Sequence, residues 1–247
     1  MSASGIGNLN GPIKLPQSIS LALPETIAAK FVERKNRFVG LVELDGQIHA
    51  AHVPSSGRMR ELLFPGNTVY ITPMPPGKRT SHRILLAAYG KTLVSVDALL
   101  PNRLIYRAVA SNILAQFTGY DDIIKEVGYG TSRIDLFLKG EAGRCFMEIK
   151  SVTLVDEGVA KFPDAPSERG TRHLIELAGA VTEGFRAAVI FLVQRDDAVY
   201  FTPNQVTDPA FAQALRQAVA AGVEVYALTC QVTREAVTLW GQIPVHL

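Results

Sequence analysis

The segment Ser132-Arg133-Ile134-Asp135-Leu136-Phe137-Leu138, the turn at 139–143 and Arg144-Cys145-Phe146-Met147-Glu148-Ile149-Lys150 constrain this chain more than any other stretch. Two β-prone runs joined by Gly140-Glu141-Ala142-Gly143 read as an antiparallel hairpin. Folding about the Glu141/Ala142 centre sets Asp135 opposite Glu148 and Arg133 opposite Lys150. Side chains alternate faces along a strand, so Asp135, Glu148 and Lys150 share one side, and Leu136, Met147 and Ile149 the other. Two ionised carboxylates side by side weaken a sheet. A divalent cation such as Mg²⁺ or Mn²⁺ between them reverses that, because hard oxygens suit it. A lysine beside the pair can stabilise developing negative charge, which is the equipment for phosphodiester hydrolysis. The bland alternative is a surface Glu148–Lys150 ion pair with Asp135 a nearby solvated acid.

The surroundings divide the chain in two. Short β-like runs at 29–32, 37–44, 47–53, 67–72, 83–89 and 91–96 are separated by turn signals such as Asp45-Gly46 and Pro65-Gly66. Nothing helical interrupts them beyond a turn at 57–63, so they suggest a small β-barrel. Behind Pro101 the period changes. A helix at 102–116 is followed by strands at 123–128, 133–138 and 144–154, a helix at 167–183, a strand at 187–193, a helix at 209–220 and a strand at 223–228. That order is α/β with a mixed sheet. The expected division is a loose arm at 1–20, a barrel at 21–97 and an α/β domain at 98–247.

With 247 residues, 47% of them hydrophobic and 19% charged, the chain can bury a real core and is not disordered. Cys145 and Cys230 alone make no disulfide framework. No secretory leader or 18-residue apolar run stands out, so a cytoplasmic protein without a membrane span is expected. Residues 1–90 carry 10 Lys and Arg against 5 Asp and Glu, while the remainder carries 15 against 18. A basic front half suits a polyanion, and an acidic rear suits a metal site.

The helix–strand–hairpin–helix–strand context resembles the PD-(D/E)xK nuclease core. The whole chain is more closely similar to the sugar fermentation stimulation protein A family. The matching stretches are Arg34-Lys35-Asn36-Arg37-Phe38, His52-Val53-Pro54-Ser55-Ser56-Gly57-Arg58-Met59, Ser132-Arg133-Ile134-Asp135, Glu148-Ile149-Lys150-Ser151-Val152-Thr153-Leu154, Phe162-Pro163-Asp164-Ala165 and Arg169-Gly170-Thr171-Arg172-His173-Leu174. The resemblance implies an N-terminal OB-like barrel, a C-terminal PD-(D/E)xK-type domain, binding of DNA or RNA, and divalent-metal nuclease activity. Ser55-Ser56 stand where the family more often has Asn-Thr.

Around Asp135, Glu148 and Lys150, Glu126 is a candidate third acid, since the helix at 102–116 carries none. Arg169, Arg172 and His173 fall on one helical stripe with Glu176, and the resemblance makes them candidates for contact with the scissile phosphate. Arg34, Lys35 and Arg37 beside Phe38 pair phosphate-binding charge with a stacking ring, as OB-folds do for single strands. His52 and Arg58 flank a small-residue loop whose amides suit a phosphate, and Arg133 joins the nucleic-acid-binding set. The competing expectation, from a different class, is a non-catalytic DNA-binding regulator of sugar metabolism of the maltose type with a vestigial acidic cluster.

Overall fold

The structure, a computed structural model, describes residues 12–247. Two short strands come first, β1 (Ile13–Lys14) and β2 (Ser20–Ala22). Six more follow: β3 (Ile27–Asn36), β4 (Val39–Leu44), β5 (Gln47–His52), β6 (Thr68–Pro73), β7 (His82–Tyr89) and β8 (Thr92–Ser95). Strands β5-β4-β3-β6-β7 form a ring, closed by parallel pairing of Ala51 with His82 and His52 with Arg83, and β8 lies beside β7. Closure leaves the ring without edges. Phe31, Val42, Leu62, Val69, Ile71 and Ile84 fill it. At the β4–β5 turn Asp45 and Gly46 both take positive φ, 51° and 75°, which matches the twist of a tight hairpin. The turn expected at 57–63 is present as a single turn in which the Leu62 and Leu63 amides donate to the Met59 carbonyl at 3.1 and 2.8 Å, entered by Met59 at φ 47°.

The second unit opens with α1 (Leu100–Ala110), then β9 (Asp122–Tyr129), β10 (Ser132–Gly140), β11 (Gly143–Val152), β12 (Val155–Asp156) and β13 (Val159–Phe162). It continues with α2 (Glu168–Thr182), β14 (Arg186–Val193), β15 (Tyr200–Pro203), α3 (Pro209–Ala220), β16 (Glu224–Val232) and β17 (Ala236–Ile243). The main sheet runs β1-β17-β16-β14-β11-β10-β9, with β11, β14 and β16 parallel and the flanking pairs antiparallel, so the sheet is mixed. Leu104, Ile105 and Val109 of α1 cover one face against Met147 and Ile190. Leu174 and Leu177 of α2 and Phe211 and Leu215 of α3 cover the other against Val189 and Phe191. The N-terminal barrel and C-terminal α/β unit are those the sequence predicts.

Several expectations are corrected. Of the arm expected at 1–20, residues 1–11 lie outside the described residues, but β1 and β2 pair with β17 of the C-terminal sheet. The helix at 102–116 stops at Ala110, because Asn112 turns to φ 52° ahead of a 3₁₀ turn at Ala115–Phe117. The helix expected at 167–183 begins at Glu168, with Ser167 as its N-cap accepting the Gly170 amide at 3.1 Å. Cys145 and Cys230 are free and buried. No helix of the described residues is long and apolar enough to cross a membrane.

The two units are bolted together. The Ser95 amide donates to the Gln194 carbonyl at 3.1 Å, and the Ala98 amide to Pro54 at 3.0 Å. Arg195, fully buried, pairs with Asp197 at 2.5 Å and lies 4.2 Å from the Tyr89 ring at the barrel end.

Candidate active site

The β10–β11 hairpin has the expected register: Gly140 pairs with Gly143 and Leu136 with Met147. Leu136↔Met147 is the last pair of that ladder, so Asp135 and Glu148 lie just past its end. On the other side β10 pairs with β9 at Ile134↔Val127 and Leu136↔Lys125, skipping Asp135. Glu126, across from it, takes φ 54°, a conformation that costs a non-glycine residue roughly 1–3 kcal/mol. The sheet is therefore locally opened around Asp135, and side-chain bonds replace ladder bonds. Asp135 Oδ2 accepts the Ile149 amide at 2.8 Å, and Oδ1 accepts the Asn102 side-chain amide of α1 at 2.7 Å.

Glu148 is held from the opposite helix. Its Oε1 accepts Lys150 Nζ at 2.8 Å and His173 Nδ1 of α2 at 2.5 Å. Arg169 Nε in turn donates to His173 Nε2 at 3.3 Å, which assigns the ring proton to Nδ1. The remaining oxygen, Oε2, has only a long contact of 3.4 Å from the Asp135 amide. Burial, then the neighbouring Glu148 charge, push the Asp135 carboxyl up to about 6. Burial acts on Glu148 in the same direction, but Lys150 and His173 outweigh it and hold that carboxyl below its usual range.

These groups line a cleft of about 360 Å³ between the two units. Its far wall is the barrel, through Arg37 and the loop at 55–57, and its rim includes Lys161, Asp164 and Arg169. Arg34 holds the loop in place, donating to the carbonyls of Ser55 (3.0 Å), Gly57 (2.6 Å), Arg58 (2.8 Å) and Arg37 (2.6 Å). From the other unit the Asp164 carboxylate accepts the Met59 amide at 3.0 Å. A Cβ on Gly57 would lie 2.8 Å from Asp164 Oδ2, so the close approach needs glycine there.

The cleft thus brings together Asp135, Glu148, Lys150, Arg37 and Arg169 from the sequence-derived candidates. Glu126 is not among its lining residues: its carboxylate pairs with Arg133 at 3.1 Å, both side chains being about two-thirds exposed. His173, 1% exposed, is positioned to orient Glu148 rather than to meet a phosphate. Arg34 is committed to carbonyls and Lys35 to Glu33 at 2.5 Å. Arg172 reaches Ser132 Oγ at 3.4 Å, outside the cleft. His52 Nδ1 lies 3.2 Å from the Phe38 carbonyl, while Phe38 and Arg58 are exposed. Sequence reasoning missed two residues that line the cleft, Asn102 and Lys161, the latter paired with Asp156 at 2.7 Å. For Asn102 the signal was available, since it stands on the helix searched for an acid.

Residues 99–236 match the model described as the sugar fermentation stimulation protein RE domain, and residues 32–96 match the SfsA N-terminal OB domain. The chain belongs to the sugar fermentation stimulation protein family. It is 62% identical to the sugar fermentation stimulation protein homolog of Desulforamulus reducens, over 97% of this chain and all of that one. It is 47% identical to the homolog of Symbiobacterium thermophilum, over 90% and 95% respectively. Among solved structures it is similar to Pyrococcus furiosus SfsA in complex with Ca²⁺, with a TM-score of 0.85, 30% identity, and coverage of 95% of this chain and 100% of that chain.

Proposed function

We propose that this family member is a divalent-metal-dependent nuclease that hydrolyses phosphodiester bonds of DNA or RNA, with Asp135 and Glu148 as metal ligands and Lys150 as the assisting cation. The observation that carries this reading is the carboxylate pair itself. Asp135 and Glu148 sit side by side past the end of a ladder, and their repulsion helps push Asp135 up to about 6. A purely structural sheet has no use for that arrangement.

The donor set fits a hard cation. Each Asp135 oxygen has one recorded donor, and Glu148 Oε2 has only the long backbone contact, so acceptor capacity remains. No group of three His, Cys, Asp or Glu side chains gathers among the described residues. Two carboxylates suffice for Mg²⁺ or Mn²⁺, since such ions keep several waters and complete their shell with substrate phosphate. A solved relative binds Ca²⁺, another oxygen-seeking divalent ion. Bound there, the ion would supply charge neutralisation on the phosphate and an acidified water.

The chain's own groups do the rest. His173 and Lys150 fix the Glu148 carboxylate, and Asn102 and the Ile149 amide fix that of Asp135. Lys150, with its side chain 11% exposed, keeps an ammonium at the cleft wall where negative charge develops. Arg37 and Arg169 add positive charge for phosphate binding. The test is a cleavage assay on single- and double-stranded DNA and RNA with Mg²⁺, Mn²⁺ and EDTA. Metal-dependent cleavage that Asp135→Asn abolishes is expected. Binding without cleavage of any substrate would leave a non-catalytic DNA-binding regulator as the better account.

A further inference from the structure

Resting on that reading of the site, we propose that the substrate is a single strand, drawn along a basic track on the barrel and into the interdomain cleft. The carboxylates line the same cleft as the barrel loop at 55–57, and Glu148 is only 3% exposed. A phosphodiester that enters between the two units meets both. At about 360 Å³ the cleft is near the small end of pockets that hold one compact molecule, so it has room for a nucleotide-sized unit. A duplex brings a second backbone alongside the first, and a cleft of that volume walled on one side by the barrel takes one backbone and not two.

The wall is not free to swing aside. Arg34 ties the loop carbonyls of Ser55, Gly57 and Arg58 to the β3–β4 turn, where it also holds those of Asn36 and Arg37. Asp164 ties the loop to the other unit through the Met59 amide, and Gly57 packs against Asp164 with no space to spare.

The path into the cleft is marked by charge. A second groove, on the barrel surface, shares Arg37, Ser56 and Gly57 with the cleft and continues past Arg58 and Arg60. Among the described residues Arg37, Arg58, Arg60 and Arg169 have no carboxylate within salt-bridge distance, so their charge is available to phosphates. Phe38 is 47% exposed with the Arg37 guanidinium over its ring, 5.6 Å from the centroid, so an exposed aromatic ring stands beside the first cation of the track. Cations tracking a backbone beside an exposed ring are the equipment of single-strand binding.

Fluorescence anisotropy in EDTA, with a labelled DNA strand, the RNA strand of the same sequence and the blunt DNA duplex, tests this on the full chain. At least one single strand should bind about tenfold or more tightly than the duplex. The double variant Arg58→Ala/Arg60→Ala should lower the slope of log affinity against log salt by about 1.4, roughly 0.7 for each phosphate contact. Its melting temperature should stay unchanged, since both side chains are exposed. Equal or tighter duplex binding, or an unchanged salt slope in the double variant, would overturn the proposal. Tight single-strand binding with no cleavage in Mg²⁺ or Mn²⁺ would leave the track standing and sink the nuclease reading instead.

Discussion

His173 holds Glu148 through an Nδ1–H bond to Oε1 of 2.5 Å, and both side chains are almost completely buried. A buried carboxylate that loses a donor keeps its desolvation cost without the compensating bond, about 1–3 kcal/mol. His173→Leu should therefore lower the melting temperature by roughly 2–10 °C in a chain of this size. It should also lower metal affinity, because Glu148 loses its fixed orientation. Thermal melts with and without Mn²⁺ check both effects. A variant as stable as the wild type and unchanged in its response to Mn²⁺ would show that the bond does not organise the site.

Metal should stabilise the folded protein through Asp135. A ligand that binds only the folded state adds about 2.7 kcal/mol at a hundredfold excess over its Kd. Mg²⁺ or Mn²⁺ is thus expected to raise the melting temperature of the wild type and to leave Asp135→Asn unmoved. Equal shifts in the two proteins would exclude Asp135 as a ligand.

The same carboxyl sets a pH window. Its folded-state value of about 6 lies above the ordinary 3.8, so its ionisation destabilises the metal-free fold, fully above pH 6 and progressively less toward pH 4. A cation needs the ionised form and must displace the proton below that value. At a metal concentration roughly a hundredfold above the Kd, the metal-induced rise in melting temperature should be full near pH 8, slightly smaller near pH 6 and about half as large near pH 5. A rise of equal size at pH 5 and pH 8 would contradict the assignment.

Much of this was legible because it is local. The hairpin is closed by four turn residues, so the placement of Asp135 beside Glu148 follows from counting, and Lys150 lies two residues along the same strand. The face assignment was less secure: Ile134 packs with α2 and α3 but Leu136 with α1, so alternation breaks at Asp135. What remained hidden depends on distant contacts. The pairing of Ile13 with Gln242, and the bond from the Met59 amide to Asp164, leave no trace in local periodicity. The short strands β12, β13 and β15 form a small sheet of their own, which the chain end joins through Phe201 and Val245, and their few residues carry too little pattern to register. Arg34 looked like its neighbours Lys35 and Arg37 because a basic run does not show which guanidinium meets carbonyls.

Lys150→Ala separates catalysis from binding. An ammonium is not the main grip on nucleic acid, so nucleic-acid affinity measured in EDTA should remain close to that of the wild type. Single-turnover cleavage should fall by about two to three orders of magnitude, the usual loss for one transition-state-stabilising group. If cleavage falls less than threefold, Lys150 serves only to pair with Glu148.

Arg34 and Arg37 should part company under the same substitution. Arg34 is half-buried and donates to five backbone carbonyls, so Arg34→Ala leaves several acceptors short of a donor. Hydrogen bonds from a charged group contribute about 1.5–3 kcal/mol each at most, and they share one side chain. A fall in melting temperature of roughly 5–10 °C is expected. Arg37 is exposed, faces the cleft and has no acid partner among the described residues. Arg37→Ala should keep the wild-type melting temperature, weaken nucleic-acid binding and remove about 0.7 to 0.9 from the salt slope. Melting curves and salt titrations of the two single variants decide it. Loss of stability in Arg37→Ala with no change in slope would place its guanidinium in the loop scaffold with Arg34, and the cleft would then take its charge for phosphate from Arg169.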